Sequence, residues 1–113
     1  MIVVWHNPRC SKSRAAVARL EAAGVPFSVR LYLVDAPSLE ELRAAQRALG
    51  VPALAMVRAG EPLFAELGLS LEMDDAALLS AMAAHPRLIE RPVVFNGARA
   101  VIGRPTEAID AVL

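Results

Sequence analysis

The sequence is poor in cysteine, lysine and aromatic residues, and each shortage narrows what it can be. One cysteine in 113 residues excludes an intrachain disulfide framework and a structural zinc site of the four-cysteine type. Lysine occurs once, at Lys12, against 11 arginines, and aromatics make up only 4% of the chain. Neither sign of charge predominates: 12 basic side chains face 12 acidic ones. That balance argues against a polybasic nucleic-acid binder and against a membrane-surface protein. There is no run approaching the ~20 consecutive apolar residues that a membrane span needs. The longest apolar stretches are residues 1–5 and 51–57, and the second contains Pro52. The apolar start is too short, and lacks the basic leader, to read as a signal peptide. The expected location is therefore cytoplasmic, where a lone cysteine stays a thiol.

Against these absences stands an apolar content of 56%, swollen by 22 alanines. The length predicts one domain over residues 1–113, large enough to bury a core without staples. The composition reads as a helix-rich globular chain. Most of the arginine excess is background that travels with the alanine excess. The planar guanidinium fork nevertheless suits tetrahedral oxyanions, which makes some of the 11 arginines candidates for ligand binding.

Periodicity gives the element order. Residues 2–5 form a short β-branched run that reads as a buried strand, broken by His6-Asn7-Pro8. A helix is expected from about Ser11 to Ala23, with Ala16, Val17 and Leu20 on its apolar stripe and Gly24 as its stop. Residues 26–33 read as a second strand. Ser38 followed by Glu41 is a capping-box pattern opening a helix that Gly50 ends. Short helices broken by Gly60 and Pro62 are expected over residues 53–67. Asp74 or Asp75 caps a further helix that stops at His85-Pro86. Residues 92–95 and 100–102 read as strands of a hairpin turning at Asn96-Gly97, and Arg104-Pro105 opens a last helix. The order is βαβ, a helical insertion, then ββα. It predicts an α/β fold: a four-stranded mixed sheet flanked by helices, in the thioredoxin-like arrangement.

The chemistry centres on Cys10, in the loop after the first strand and at the mouth of a helix. Free N–H groups and the positive helix end favour an anion there, so the thiol is expected to ionise more readily than usual. Arg9, Lys12 and Arg14 add positive charge nearby in sequence, and Ser11 and Ser13 offer hydroxyls. Spacing excludes two familiar uses. Position 13 is serine, so no Cys-x-x-Cys pair exists and the site is monothiol. The residue six after Cys10 is Ala16, so the Cys-x₅-Arg loop of a tyrosine phosphatase is absent. Two histidines and one cysteine give no basis for a metal site.

The segment His6-Asn7-Pro8-Arg9-Cys10-Ser11-Lys12-Ser13-Arg14 resembles the active-site loop of the glutaredoxin-dependent arsenate reductase family, which also includes Spx-type regulators. The resemblance continues through Leu31-Tyr32-Leu33, Val57-Arg58 with Glu61, Glu66-Leu67-Gly68-Leu69, the stretch from His85-Pro86 to Arg91-Pro92-Val93-Val94, and Gly103-Arg104-Pro105. It implies that Cys10 is the nucleophile and that Arg58, Arg91 and Arg104 bind arsenate. It further implies supporting roles for His6 and Ser13 and a cis-proline at Pro92. Arg14, which the local spacing singles out, is a further supporting candidate. The family's activity implies glutathione as co-substrate and glutaredoxin as partner, with no bound cofactor. Two alternatives stay open: an Spx-like regulatory module, and a glutathione-dependent thiol reductase whose natural substrate is not arsenate.

Overall fold

The computed structural model describes residues 1–113. Four strands form one mixed sheet in the order β2-β1-β3-β4: β1 is Ile2–Trp5, β2 Phe27–Arg30, β3 Val93–Asn96 and β4 Arg99–Ile102. Strand β1 pairs in parallel with β2 and antiparallel with β3, and β3 and β4 form the hairpin. The helix α1, Ser11–Ala23, is the crossover between β1 and β2. Trp5 stands opposite Val93 across the β1–β3 pair. The residues that follow Trp5 and those that precede Val93 therefore leave the sheet at the same end. This is the thioredoxin-like arrangement expected from the element order.

Two units divide the chain, one built from residues 1–35 and 91–113 and the other from residues 36–90. The first contains the sheet. Its core gathers Ile2, Val4 and Val94 from the strands, Ala16 and Leu20 from α1, and Ile109 and Val112 from the C-terminal segment. Each large aliphatic side chain buried here contributes ~1.5–3 kcal/mol. Arg19 and Asp110 clamp α1 to the C-terminal segment through two bonds of 2.8 and 2.6 Å. In the second unit, α2 (Leu39–Leu49) and α4 (Asp75–Ala84) pack together. Asp75 ties them, accepting from Gln46 Nε2 at 2.7 Å and from the Ala53 N–H at 3.1 Å. The short α3 spans Pro62–Glu66.

Several boundaries differ from the sequence reading. Strand β2 ends at Arg30 rather than continuing to residue 33, because the chain turns there: the N–H groups of Val34 and Asp35 both donate to the Leu31 carbonyl. Pro62 starts α3 rather than breaking it, since proline suits the first helical turn. The final element, Thr106–Val112, is a 3-10 helix instead of an α-helix. Val17 is only half-buried and Ala23 is exposed, so the buried face of α1 is carried by Ser13, Ala16 and Leu20. No helix is long and apolar enough to cross a membrane.

Candidate active site

The loop from β1 to α1 is shaped by its own polar groups. Asn7 Oδ1 accepts from the Arg9 N–H at 3.0 Å, and the Asn7 carbonyl accepts from the Cys10 N–H at 3.0 Å. These bonds turn the chain so that Cys10 becomes the N-cap of α1 in an extended conformation. Ser13, wholly buried in the first turn of α1, braces the loop from below. Its Oγ accepts from the Asn7 N–H at 3.0 Å and lies 2.6 Å from His6 Nδ1. Burial, and then the charge of Arg14, hold the His6 imidazole below its ordinary pKa. A neutral ring beside a hydroxyl already accepting from Asn7 takes the hydroxyl proton on Nδ1, which leaves its own proton on Nε2.

The Cys10 thiol is buried. Burial pushes its pKa up, but opposing effects together bring it below the ordinary thiol value. The N–H groups of Ser13 and Lys12 face the sulfur, the positive charge of Arg91 acts on it, and Arg91 also hydrogen-bonds it. The backbone groups favour the thiolate without forming a full capping bond to the side chain. Arg104 completes the arrangement. Its Nε donates to the Arg91 carbonyl at 2.7 Å, and its Nη2 lies 3.7 Å from Cys10 Sγ.

The structure thus brings together Cys10, Arg91 and Arg104, with His6 and Ser13 bracing the loop. The peptide bond between Arg91 and the buried Pro92 is cis, as is that between Arg104 and Pro105. Gly103 sits tightly against Pro92: a Cβ there would come within 2.9 Å of Pro92 Cγ, while the Gly103 N–H donates to the Pro92 carbonyl at 2.9 Å.

The cations adjacent to Cys10 in sequence act differently from the sequence expectation. The charge that lowers the thiol pKa comes from Arg91, and Lys12 contributes its backbone N–H. Arg14 reaches back to the Pro8 carbonyl with Nη1 at 2.9 Å and acts electrostatically on His6. Arg58 lies in the second unit. Its N–H donates to the Leu88 carbonyl at 2.8 Å, and its guanidinium faces Glu61, 3.4 Å away. Glu61 also binds Arg87 at 2.5 Å. The sequence reading gave neither of these two residues a role. The spacing of three from Arg58 to Glu61 was the available signal, whereas Arg87 is 26 residues from Glu61. No group of three or more His, Cys, Asp or Glu side chains is placed to hold a metal ion.

The loop with a lowered thiol pKa and two guanidiniums beside it is a site for nucleophilic attack on an anion. Comparison with known proteins agrees in kind. Residues 5–112 match the model of the ArsC family. A protein of Neisseria meningitidis named arsenate reductase is 47% identical, with 99% of this chain and 97% of that protein covered. One of the same name from Haemophilus influenzae is 40% identical, with 99% and 98% covered. The solved structure of an arsenate reductase from Vibrio cholerae superposes with a TM-score of 0.94 at 45% identity, covering 99% of this chain and 97% of that one. On these matches, which run nearly end to end, the chain belongs to the ArsC family.

Proposed function

We propose that this protein reduces arsenate to arsenite through a covalent bond between Cys10 and arsenic, with glutathione and glutaredoxin supplying the electrons. The observation that carries the reading is the Cys10 thiol, held below its ordinary pKa at a helix start with Arg91 and Arg104 beside it. A thiolate and an arsenate repel each other. Two guanidiniums offset that repulsion and hold the oxyanion where the sulfur can reach arsenic. Arg58 is assigned as a third oxyanion ligand on the strength of the family resemblance.

The steps balance as follows. Cys10 Sγ bonds to arsenic(V), and one As–O bond breaks, its oxygen leaving as water after protonation. A glutathione thiolate then attacks Cys10 Sγ. The S–As bond breaks with its electron pair remaining on arsenic, which becomes arsenic(III) and leaves as arsenite. Cys10 is left in a mixed disulfide with glutathione, and a glutaredoxin thiol takes the glutathione and returns Cys10 to the thiolate. The net reaction consumes arsenate and two thiols and yields arsenite, one disulfide and water. With one cysteine in the chain, both reducing thiols come from outside.

The test is a coupled assay with glutathione, glutaredoxin, glutathione reductase and NADPH. Adding arsenate to the wild-type protein is expected to start NADPH oxidation, and Cys10→Ser is expected to stop it. Equal rates in the two proteins, or none in the wild type, overturn the proposal. A glutathione mixed disulfide on Cys10 without arsenate turnover would point instead to a thiol reductase of another substrate.

A further inference from the structure

Arg58 is held in a cluster of three charges. Its N–H is fixed by the Leu88 carbonyl, and the Glu61 N–H donates to the Arg58 carbonyl at 3.1 Å, so the backbone at this point is pinned on both sides. The Glu61 carboxylate, 11% exposed, divides its two oxygens between two arginines. Oε1 binds Arg87 Nη2 at 2.5 Å, and Oε2 faces Arg58 Nη1 at 3.4 Å. The Arg87 carbonyl adds a long contact to the same Arg58 nitrogen, at 3.5 Å.

The unequal distances matter. A short, charge-assisted bond takes most of the interaction of a carboxylate with its partners. That bond goes to Arg87, whose side chain is 62% exposed. Arg58, at 24% exposure, receives the weaker contact. The carboxylate therefore gives Arg58 a direction while its charge is mostly met elsewhere. An arginine neutralised by a full ion pair makes a poor anion ligand, and one with no partner is disordered. The cluster, with two positive charges and one negative, avoids both conditions.

We infer that Glu61 and Arg87 are positioning residues: Glu61 orients Arg58 for the oxyanion, and Arg87 draws the Glu61 carboxylate away so that Arg58 keeps its charge for the substrate. The inference rests on the assignment of Arg58 to the oxyanion under the proposed function, and deepens it. It accounts for a carboxylate beside an anion-binding arginine, where a simple charge count would call it unfavourable.

The experiment measures how well arsenate, with no thiol present, protects Cys10 from alkylation by iodoacetamide. The readout is the half-protecting arsenate concentration. Arg58→Ala is expected to raise it about tenfold, the cost of losing one charge-assisted bond. Glu61→Gln, nearly isosteric, is expected to raise it about threefold by loosening Arg58, and Arg87→Ala about threefold by letting Glu61 close on Arg58. The double variant E61Q/R87A is expected to match E61Q alone, because without the carboxylate there is nothing for Arg87 to draw away. In the coupled assay, E61Q and R87A should raise KM for arsenate and leave kcat unchanged. The pH profile of alkylation without arsenate should stay as in the wild type, which a general loss of structure would not allow.

Normal protection in E61Q and R87A, alongside weakened protection in R58A, overturns the inference and leaves the proposed function standing. Tighter arsenate binding by E61Q overturns it too, since Glu61 would then merely compete with the substrate. So do single effects that multiply in the double variant. Unchanged protection in R58A removes Arg58 from the oxyanion site and takes the inference with it, while the Cys10→Ser assay still decides the reaction itself.

Discussion

Two helices of this protein begin in opposite ways. Helix α2 opens with a complete capping box: the Ser38 hydroxyl accepts from the Glu41 N–H at 3.1 Å, and the Glu41 carboxylate accepts from the Ser38 N–H at 3.0 Å. Glu40 and Glu41 add negative charge to its first turn. Helix α1 opens at Cys10 with the same extended N-cap backbone, but with no side-chain cap and no acidic residue in its first turn. One helix end has its exposed N–H groups and positive dipole satisfied by the chain. The other leaves them for a sulfur anion. The first start is arranged for stability, and the second gives up some stability so that a thiolate can form.

Replacing the sulfur tests this contrast most severely. Cys10→Ser is expected to abolish turnover in the coupled assay, and at the same time to stabilise the fold by about 0.5–1 kcal/mol, since serine is a good N-cap. Chemical denaturation reads the second effect. A variant that is both inactive and less stable would break the comparison.

Arg91→Ala comes next in size. Removing the cation beside the thiol should move the Cys10 pKa upward, so the rise of the iodoacetamide rate with pH should shift to higher pH than in the wild type. Below the wild-type pKa the variant should react more slowly. At a pH above both values the two thiols should alkylate alike. An unshifted profile would mean that the helix start alone sets the thiol.

Ser13→Ala should cost about 1–3 kcal/mol of stability, because the partly buried Asn7 N–H loses its acceptor. It should also slow alkylation at neutral pH by loosening the loop that aims the Lys12 and Ser13 N–H groups. Thermal unfolding and the alkylation rate measure the two effects, and a stability loss with an unaltered thiol would confine Ser13 to the fold. The smallest effect is expected at the other helix. Ser38→Ala should cost about 1 kcal/mol, read by denaturation, with turnover at folding temperatures unchanged.

Much of this arrangement is legible in the sequence, because its signals are local. The β-branched run at Ile2–Trp5, the capping box at Ser38 and Glu41 and the hairpin turn at Asn96-Gly97 each announce themselves within a few residues. So does the placing of Cys10 at a helix mouth. What local reading misplaces is charge. Arg9, Lys12 and Arg14 lie closest to Cys10 along the chain, yet side chains there are long and their directions are set by the backbone. Arg14 turns back to Pro8, and the thiol is governed by Arg91. The convergence of Arg91 and Arg104 depends on the β1–β3 pairing and on an Arg104 bond to the Arg91 carbonyl, neither of which has a sequence signature of its own. Only the family resemblance singled them out. Glu61 and Arg87 passed without a role for the same reason, since a carboxylate and an arginine 26 residues apart look like ordinary surface charge.

The site's two halves lie at opposite ends of the chain, Cys10 and Arg104 being 94 residues apart. During synthesis the cysteine emerges early, while the strand and the arginines that complete its surroundings emerge last. Until then the nascent chain carries only an ordinary thiol, with no Arg91 beside it and no β3 to fix the loop. Reactivity toward oxidants and electrophiles therefore switches on at the end of translation. A chain truncated before β3 would keep its cysteine and lose what makes that cysteine reactive.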